Sequence, residues 1–387
     1  MMTASTLTSF AAPQGGAQGP SGGRAGPESS SASAGQRVML ADTLNRLLRD
    51  TAATRSSVAE GWNGALWKQL DDMALPLLLV PEAAGGIGGD WEDAEVVARA
   101  LGIHAVALPV AETMLARALA VHVGLAMADG VAGLATSTVG TLERDGSAAW
   151  RFTGSLHGVP WGRHLDSVIA LVEQDGAAHL IALGAKAAVV RESRNLAGEP
   201  RDKLAFDRTP ASVAPCDAGT ARSLVYQGAL MRVGQIAGAL ESVLARSVDF
   251  ARDRVQFGKP IASFQAVQQQ LAVFGSEVAA VGCAARAAFR SAARGDASFE
   301  IAAAKLRANL AIDASTAIAH QVHGAIGFTH EYELRHFTQR LWSWRSEFGN
   351  DRHWSETLGK AVIARGVDSF WADLTQRGDA AALPLAA

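Results

Sequence analysis

Cysteine is scarce, occurring twice in 387 residues. Cys216 and Cys283 both sit in Ala/Val-rich surroundings, which excludes a disulfide framework and points to reduced intracellular thiols. Surplus charge is scarce too. Lys and Arg number 35 against 38 Asp and Glu, leaving a formal net charge of −3 and a pI near 6.4. Nothing in that balance recommends nucleic acid or an anionic membrane as a partner. No apolar run reaches bilayer-spanning length, and the first residues lack a basic region followed by an apolar core. The expectation is a cytoplasmic protein with no membrane span. Segment 85–89, Gly-Gly-Ile-Gly-Gly, lacks the GxGxxG spacing of a dinucleotide fingerprint. His323, His330 and His336 match no compact zinc motif, so no metal is expected.

What is present is apolar substance, 49% of residues, enough for two or three domains or one large multi-layer body. Residues 1–37 are mostly Ser, Gly, Ala, Gln and Thr and read as a disordered tail that cannot repay the entropy of ordering. From 38 to 129 the pattern is helical. Leu40, Leu44, Leu47 and Leu48 mark one helix face, and Trp62, Leu66, Trp67 and Leu70 mark another. Residues 77–80 read as a short strand or loop before the glycine-rich turn. That turn lets the backbone approach a neighbour closely, and helices follow from Glu92 and after Pro109.

Between 130 and 219 the period changes. Short β-rich runs such as 150–153, 167–172 and 179–183 are separated by turns, with Asp145-Gly146 and Asp175-Gly176 as hairpin candidates. From 220 to 380 the chain is helical again. One stripe is Leu230, Val233, Ile236, Leu240 and Leu244, the next Val267, Leu271, Phe274, Val278 and Ala279. Ile301, Leu306, Leu310 and Ile318 mark a third, and alanine-rich faces of this kind suit close packing in a bundle.

The stretch Arg252-Asp253-Arg254-Val255-Gln256-Phe257-Gly258-Lys259-Pro260 lies between two of these helices. Gly-Lys-Pro breaks the helix, and the arginines gather where a helix C-terminus favours cations. Such a corner could hold a phosphate-bearing ligand or be a solvated helix hairpin.

These residues carry a resemblance. Arg254-Val255-Gln256-Phe257-Gly258-Lys259-Pro260 with Phe264-Gln265, then Gln321-Val322-His323-Gly324-Ala325-Ile326-Gly327-Phe328-Thr329, resemble two motifs of the flavin-dependent acyl-CoA dehydrogenases. The likeness covers roughly Leu44 to Ala372, with the β-rich insert in the matching place. It implies an α+β, acyl-CoA dehydrogenase-like fold: an N-terminal helical domain, a middle β-barrel domain and a C-terminal four-helix bundle. It also implies FAD shared across a subunit interface, in a homodimer, a homotetramer or a heteromer with a second acyl-CoA dehydrogenase-like subunit. The implied reaction is α,β-dehydrogenation of an acyl-CoA, of fatty-acid or sterol side-chain type, to its trans-2-enoyl-CoA, with an electron-transfer partner. By the same resemblance Arg254 would meet the cofactor pyrophosphate, with Phe257 and Gln265 beside it. Gln321, Gly324 and Ala325 would approach the adenosine-pyrophosphate end.

The chain departs from the family where the flavin ring should be held. Gly158-Val159-Pro160-Trp161-Gly162-Arg163 stands where members carry a Trp-Ile-Thr type segment, and proline has no N–H to donate. Trp161 would cover the ring from a displaced position or fill the barrel core. The base departs as well. Counting forward from Gln321, the family's glutamate falls on Phe348, with Glu347 one residue early, and one helical residue turns a side chain by about 100°. Counting back from Arg254, the alternative position falls on Gly228. Three readings stay open. Glu347 serves as the base through a local shift, or the chain is a base-less FAD-sharing partner in a heteromer, or it is a non-catalytic structural homologue.

Overall fold

The computed structural model describes residues 27–50, 61–329, 331–366, 368 and 371–372. Four helices come first: α1 (Pro27–Asp50), α2 (Gly64–Asp72), α3 (Trp91–Ile103) and α4 (Val110–Val123). Helix α1 begins ahead of the boundary expected after residue 37, and residues 1–26 of the expected tail lie outside the described residues. Leu44 and Leu48 are buried, with Leu40 and Leu47 packed against them. Asn63 caps α2 by accepting from the Leu66 N–H at 3.0 Å. A reciprocal pair, Asp90 and Asp93, caps α3.

Segment 75–80 is not a strand. It opens with a 3-10 turn at Leu75–Leu77 and folds back on the glycine-rich stretch. A Cβ on Gly86 would lie 2.1 Å from the Val80 carbonyl oxygen, so the close approach expected there is the chain's own. Glycine also brings α3 onto α5 (Ala218–Asp253). A Cβ on Gly102 would lie 2.0 Å from the Gln235 carbonyl oxygen, and one on Gly238 would lie 2.1 Å from that of Arg99.

The middle domain holds β1 (Ala132–Ala135), β2 (Ser137–Arg144), β3 (Trp150–Pro160), β4 (Ser167–Gln174), β5 (Ala177–Gly184), β6 (Val189–Arg191) and β7 (Arg201–Cys216). Strand order is β1-β4-β5-β7-β3-β2, with β6 also on β7. The β1–β4 pair is parallel and the others antiparallel. The expected barrel domain is thus a mixed sheet, and among the described residues no ladder joins β1 to β2. The long strand β7 serves both halves and bends at Arg208, where φ is +44°. Asp175-Gly176 forms the expected two-residue hairpin, both φ values positive at 53° and 76°. The Asp145 turn is wider, with Ala148 in the left-handed region and the Asp145 carboxylate accepting from the Ser147 and Ala149 N–H groups.

Asp217 ends the sheet and caps α5, accepting from the Thr220 N–H at 2.6 Å. The small antiparallel pair β8 (Val255–Gln256) and β9 (Lys259–Pro260) follows. After it come α6 (Gln265–Arg294), α7 (Ser298–His323), α8 (Leu334–Ser346) and α9 (Asp351–Arg365). The α5 stripe is buried at Leu230, Val233, Ile236 and Leu240. On α6 only Phe274 of the expected stripe is fully buried and Ala279 is exposed, because this helix lies on the outside of the bundle. Alanine-rich α6 is long and apolar enough, by length and composition alone, to cross a membrane, against expectation; Phe274, Val281 and Phe289 are buried in the bundle. Leu310, expected inside, is 50% exposed, whereas Lys305 is fully buried.

Candidate active site

The turn between α8 and α9 holds both residues at issue for the base. Glu347 closes α8, its N–H donating to the Trp344 carbonyl at 3.3 Å. Phe348 then takes φ +53° and Gly349 φ +101°. A Cβ at 349 would lie 2.5 Å from the Trp354 indole nitrogen, so glycine is required there. The turn forms one wall of a cavity of about 370 Å³ lined by Leu134, Thr136, Gly158, Pro160, Arg201 and Phe348, among others.

Glu347 enters this cavity wall as a bound carboxylate. Its Oε1 accepts from Arg201 Nε at 2.9 Å and Nη2 at 2.6 Å, and from Asn195 Nδ2 at 3.4 Å. Its Oε2 accepts from Arg232 Nε at 2.8 Å. Arg232, 3% exposed, also donates to Glu112 and to Gln235. Arg201 further donates to Glu199, which accepts from Arg340 Nε at 2.8 Å. The result is a string of alternating charges, Glu112–Arg232–Glu347–Arg201–Glu199–Arg340, running through all three parts of the fold. Burial alone would raise the Glu347 carboxyl; Arg201 and Arg232 outweigh it and hold the group at about 2. Burial works against the Arg232 guanidinium, yet Glu112 and Glu347 raise it above its ordinary value. A general base works best when its pKa lies near the operating pH. Glu347 is ionised at neutral pH, but its proton affinity is low and both oxygens are engaged.

Phe348 lies over Gly228, the other position that the resemblance implies for a base. A Cβ on Gly228 would stand 2.2 Å from the phenyl ring. The two positions that the resemblance implies for a carboxylate are thus adjacent, and the Phe348 ring fills the space over Gly228. Arg232 stacks on the same side, its Cζ 5.7 Å from the Phe348 ring and 5.8 Å from that of Trp344.

The other expected residues are distributed differently. Trp161 does not line the cavity. Its φ of +56° at the end of β3 turns the side chain inward, where it is 3% exposed and meets Trp62 edge-on at 5.8 Å. It packs at the junction with the N-terminal helices, in keeping with the core-filling alternative of its two readings. Arg254 caps the end of α5, Phe257 projects from the β8–β9 hairpin 91% exposed, and Gln265 begins α6. These three share one solvent-facing corner. Gln321, Gly324 (φ +63°) and Ala325 are exposed at the C-terminal end of α7, beside His323, whose buried Nε2 has no hydrogen-bond partner among the described residues.

For FAD this donor set fits the anionic middle of a dinucleotide: an exposed guanidinium fork, and glycine backbone open to close approach. At the ring end the cavity is present, but its Pro160 offers no N–H. Among the described residues no group of three or more His, Cys, Asp or Glu side chains could hold a metal ion. Sequence reasoning missed Arg201, Arg232, Glu112 and Lys305. The available signal was a charged residue inside an apolar helical stripe, as Arg232 is between Leu230 and Val233.

A family profile described as acyl-CoA dehydrogenase, C-terminal domain, matches residues 219–362. The acyl-CoA dehydrogenase IpdE2 of Mycolicibacterium smegmatis is 28% identical over 316 residues, covering 79% of this chain and 92% of its own. IpdE2 of Mycobacterium tuberculosis is 29% identical over 313 residues, covering 79% and 90%. The chain thus carries an acyl-CoA dehydrogenase C-terminal domain at residues 219–362 and is similar to acyl-CoA dehydrogenases, at low identity, over most of its length. Its fold is shared with a solved steroid acyl-CoA dehydrogenase variant, Tcur3481-Tcur3483, at a TM-score of 0.78 and 20% identity, over 87% of this chain and 99% of that one. The ChsE4-ChsE5 complex from Mycobacterium tuberculosis gives 0.76 at 19% identity, over 85% and 97%. Within this acyl-CoA dehydrogenase fold, the Phe348 ring lies over Gly228 and Pro160 lines the adjoining cavity.

Proposed function

We propose that this chain is the base-less, FAD-sharing subunit of a heteromeric acyl-CoA dehydrogenase. A second acyl-CoA dehydrogenase-like chain supplies the carboxylate, and the assembly converts an acyl-CoA to its trans-2-enoyl-CoA. The observation that carries this reading is the Phe348 ring over Gly228, with Glu347 held between Arg201 and Arg232. Removal of an α-proton needs a carboxylate free to receive it, and neither family position offers one. FAD, when bound, would supply the acceptor for the β-hydride. On this chain Arg254, Phe257 and Gln265 would hold the dinucleotide from their exposed corner, and Gln321, Gly324 and Ala325 would meet its adenosine-pyrophosphate end. Two of the solved relatives have two-component names, and one is called a steroid enzyme; a bulky, ring-bearing acyl group is therefore the substrate class to try first. An electron-transfer partner would reoxidise the assembly.

The test is visible flavin absorption of the purified chain, alone and co-expressed with a candidate second subunit, during anaerobic addition of an acyl-CoA panel. The expected result is bleaching by the two-chain assembly and none by the single chain. A single chain that bleaches, and stops doing so as Glu347→Gln, would establish the homomeric enzyme with Glu347 as base. Absence of flavin in both preparations would leave a structural homologue.

A further inference from the structure

The Lys305 side chain is fully buried on α7, between Ala304 and Ala308 and on a helix that also buries the polar side chains of Asn309, Ser315 and Thr316. Its ammonium donates to Asn309 Oδ1 one turn along at 2.7 Å. It also donates to three backbone carbonyls of the next segment, those of Trp344 at 3.1 Å, Arg345 at 3.2 Å and Gly349 at 3.2 Å. The first two belong to the last turn of α8, where helix geometry leaves carbonyls without their usual i+4 donors, although that of Trp344 also accepts from the Glu347 N–H. The third closes the turn after Phe348 and accepts from Trp354 Nε1 as well, at 3.1 Å. One cation thus gathers both ends of the segment that carries Glu347 and Phe348.

That segment has a reason to need it. Phe348 and Gly349 hold consecutive positive φ values, and a bulky residue stays in the left-handed region only where its surroundings over-determine it. Burial pushes the Lys305 ammonium down to about 7, with Glu347 and Asp351 raising it and Arg232 and Arg345 lowering it further. A cation at this depth is costly unless its protons are all accepted, and here every one is.

We propose that Lys305 is the positioning residue of the site: its ammonium, bound to the Trp344, Arg345 and Gly349 carbonyls, fixes the strained turn that sets Phe348 over Gly228 and Glu347 between its arginines. The proposal concerns the placement of the turn. The base-less reading can fail in the flavin experiment without touching it, and the converse also holds.

The experiment is hydrogen exchange by mass spectrometry on the full chain, comparing wild type with Lys305→Met, and with Lys305→Gln where the first variant does not fold. Exchange in 344–350 should accelerate at least about tenfold while 230–240 in α5 is unchanged. The same comparison in a Phe348→Gly background separates positioning from simple burial. Glycine relieves the strain, so the increment should shrink to less than about threefold if the two residues are coupled through the turn. Uniform acceleration across α5 and α7, or the same increment in both backgrounds, would overturn the proposal and leave Lys305 as a buried charge with no hold on the site.

Discussion

The phenyl ring of Phe348 occupies the space that a side chain on Gly228 would need, with a Cβ there only 2.2 Å from the ring. Helix α5 carries Gly228 and the α8–α9 turn carries Phe348, so neither residue can change alone. An added methyl must displace the ring, and overpacking of this kind costs about 1–3 kcal/mol. Gly228→Ala should therefore destabilise the chain by about that amount in urea unfolding. In a Phe348→Ala background the sign should reverse. The space is then open, and alanine is better than glycine inside a helix by up to about 1 kcal/mol.

Glu347 gives the fold an acid-sensitive joint. Its folded pKa is depressed, to about 2 from an ordinary 4.5, so the unfolded chain binds the proton more readily. The stabilisation is present in full above about 4.5 and is lost as pH falls from there toward about 2. A shift of that size corresponds to about 3 kcal/mol, since one pKa unit is about 1.4 kcal/mol. Glu347→Gln should lower stability at neutral pH and flatten the acid limb of a stability–pH curve. An unchanged acid limb would show that the two arginines do not hold the carboxylate as described.

Much of the fold was legible because it depends on local spacing. The apolar periods locate α1, α2 and α5, and the Asp175-Gly176 pair defines its hairpin. Phe348 and Gly228 were themselves legible by counting, as the two positions reached from the motifs. Their contact was not, and neither was the charge network. Arg201 and Arg232 reach Glu347 across 146 and 115 residues of sequence, a pairing that no window of local pattern contains. Which of its two readings Trp161 follows was not legible for a conformational reason: a positive φ at a non-glycine residue redirects a side chain, and sequence gives little warning of it. The outward face of α6 and exposed Leu310 show the same limit, because a helical stripe says which residues align but not how many faces are covered.

Arg232 should behave as half of a coupled set. Removing it leaves Glu112 and Glu347 buried without one of their cations, and breaking a buried pair typically costs about 3–5 kcal/mol. Arg232→Met should lose stability on that scale. The double variant Glu112→Gln with Arg232→Met should lose clearly less than the two single losses added together, because the second change removes a charge that the first has stranded. Strict additivity in urea unfolding would mean that Glu112 and Arg232 do not stabilise each other.

Arg254 and Trp161 should separate cofactor binding from folding. Arg254 is exposed at the end of α5, so Arg254→Gln should leave thermal stability within about 0.5 kcal/mol of wild type, as surface substitutions usually do. It should still lower the flavin-to-protein ratio of the purified assembly, because a glutamine amide lacks both the charge and the donor fork that suit a pyrophosphate. Trp161 is buried against Trp62 and lies away from the cavity. Trp161→Ala should cost about 3–5 kcal/mol through the void it leaves, while the fraction that remains folded takes up flavin at the wild-type ratio. Loss of flavin from folded Trp161→Ala protein would return that residue to the cofactor, and an Arg254→Gln assembly with full flavin would remove the corner from it.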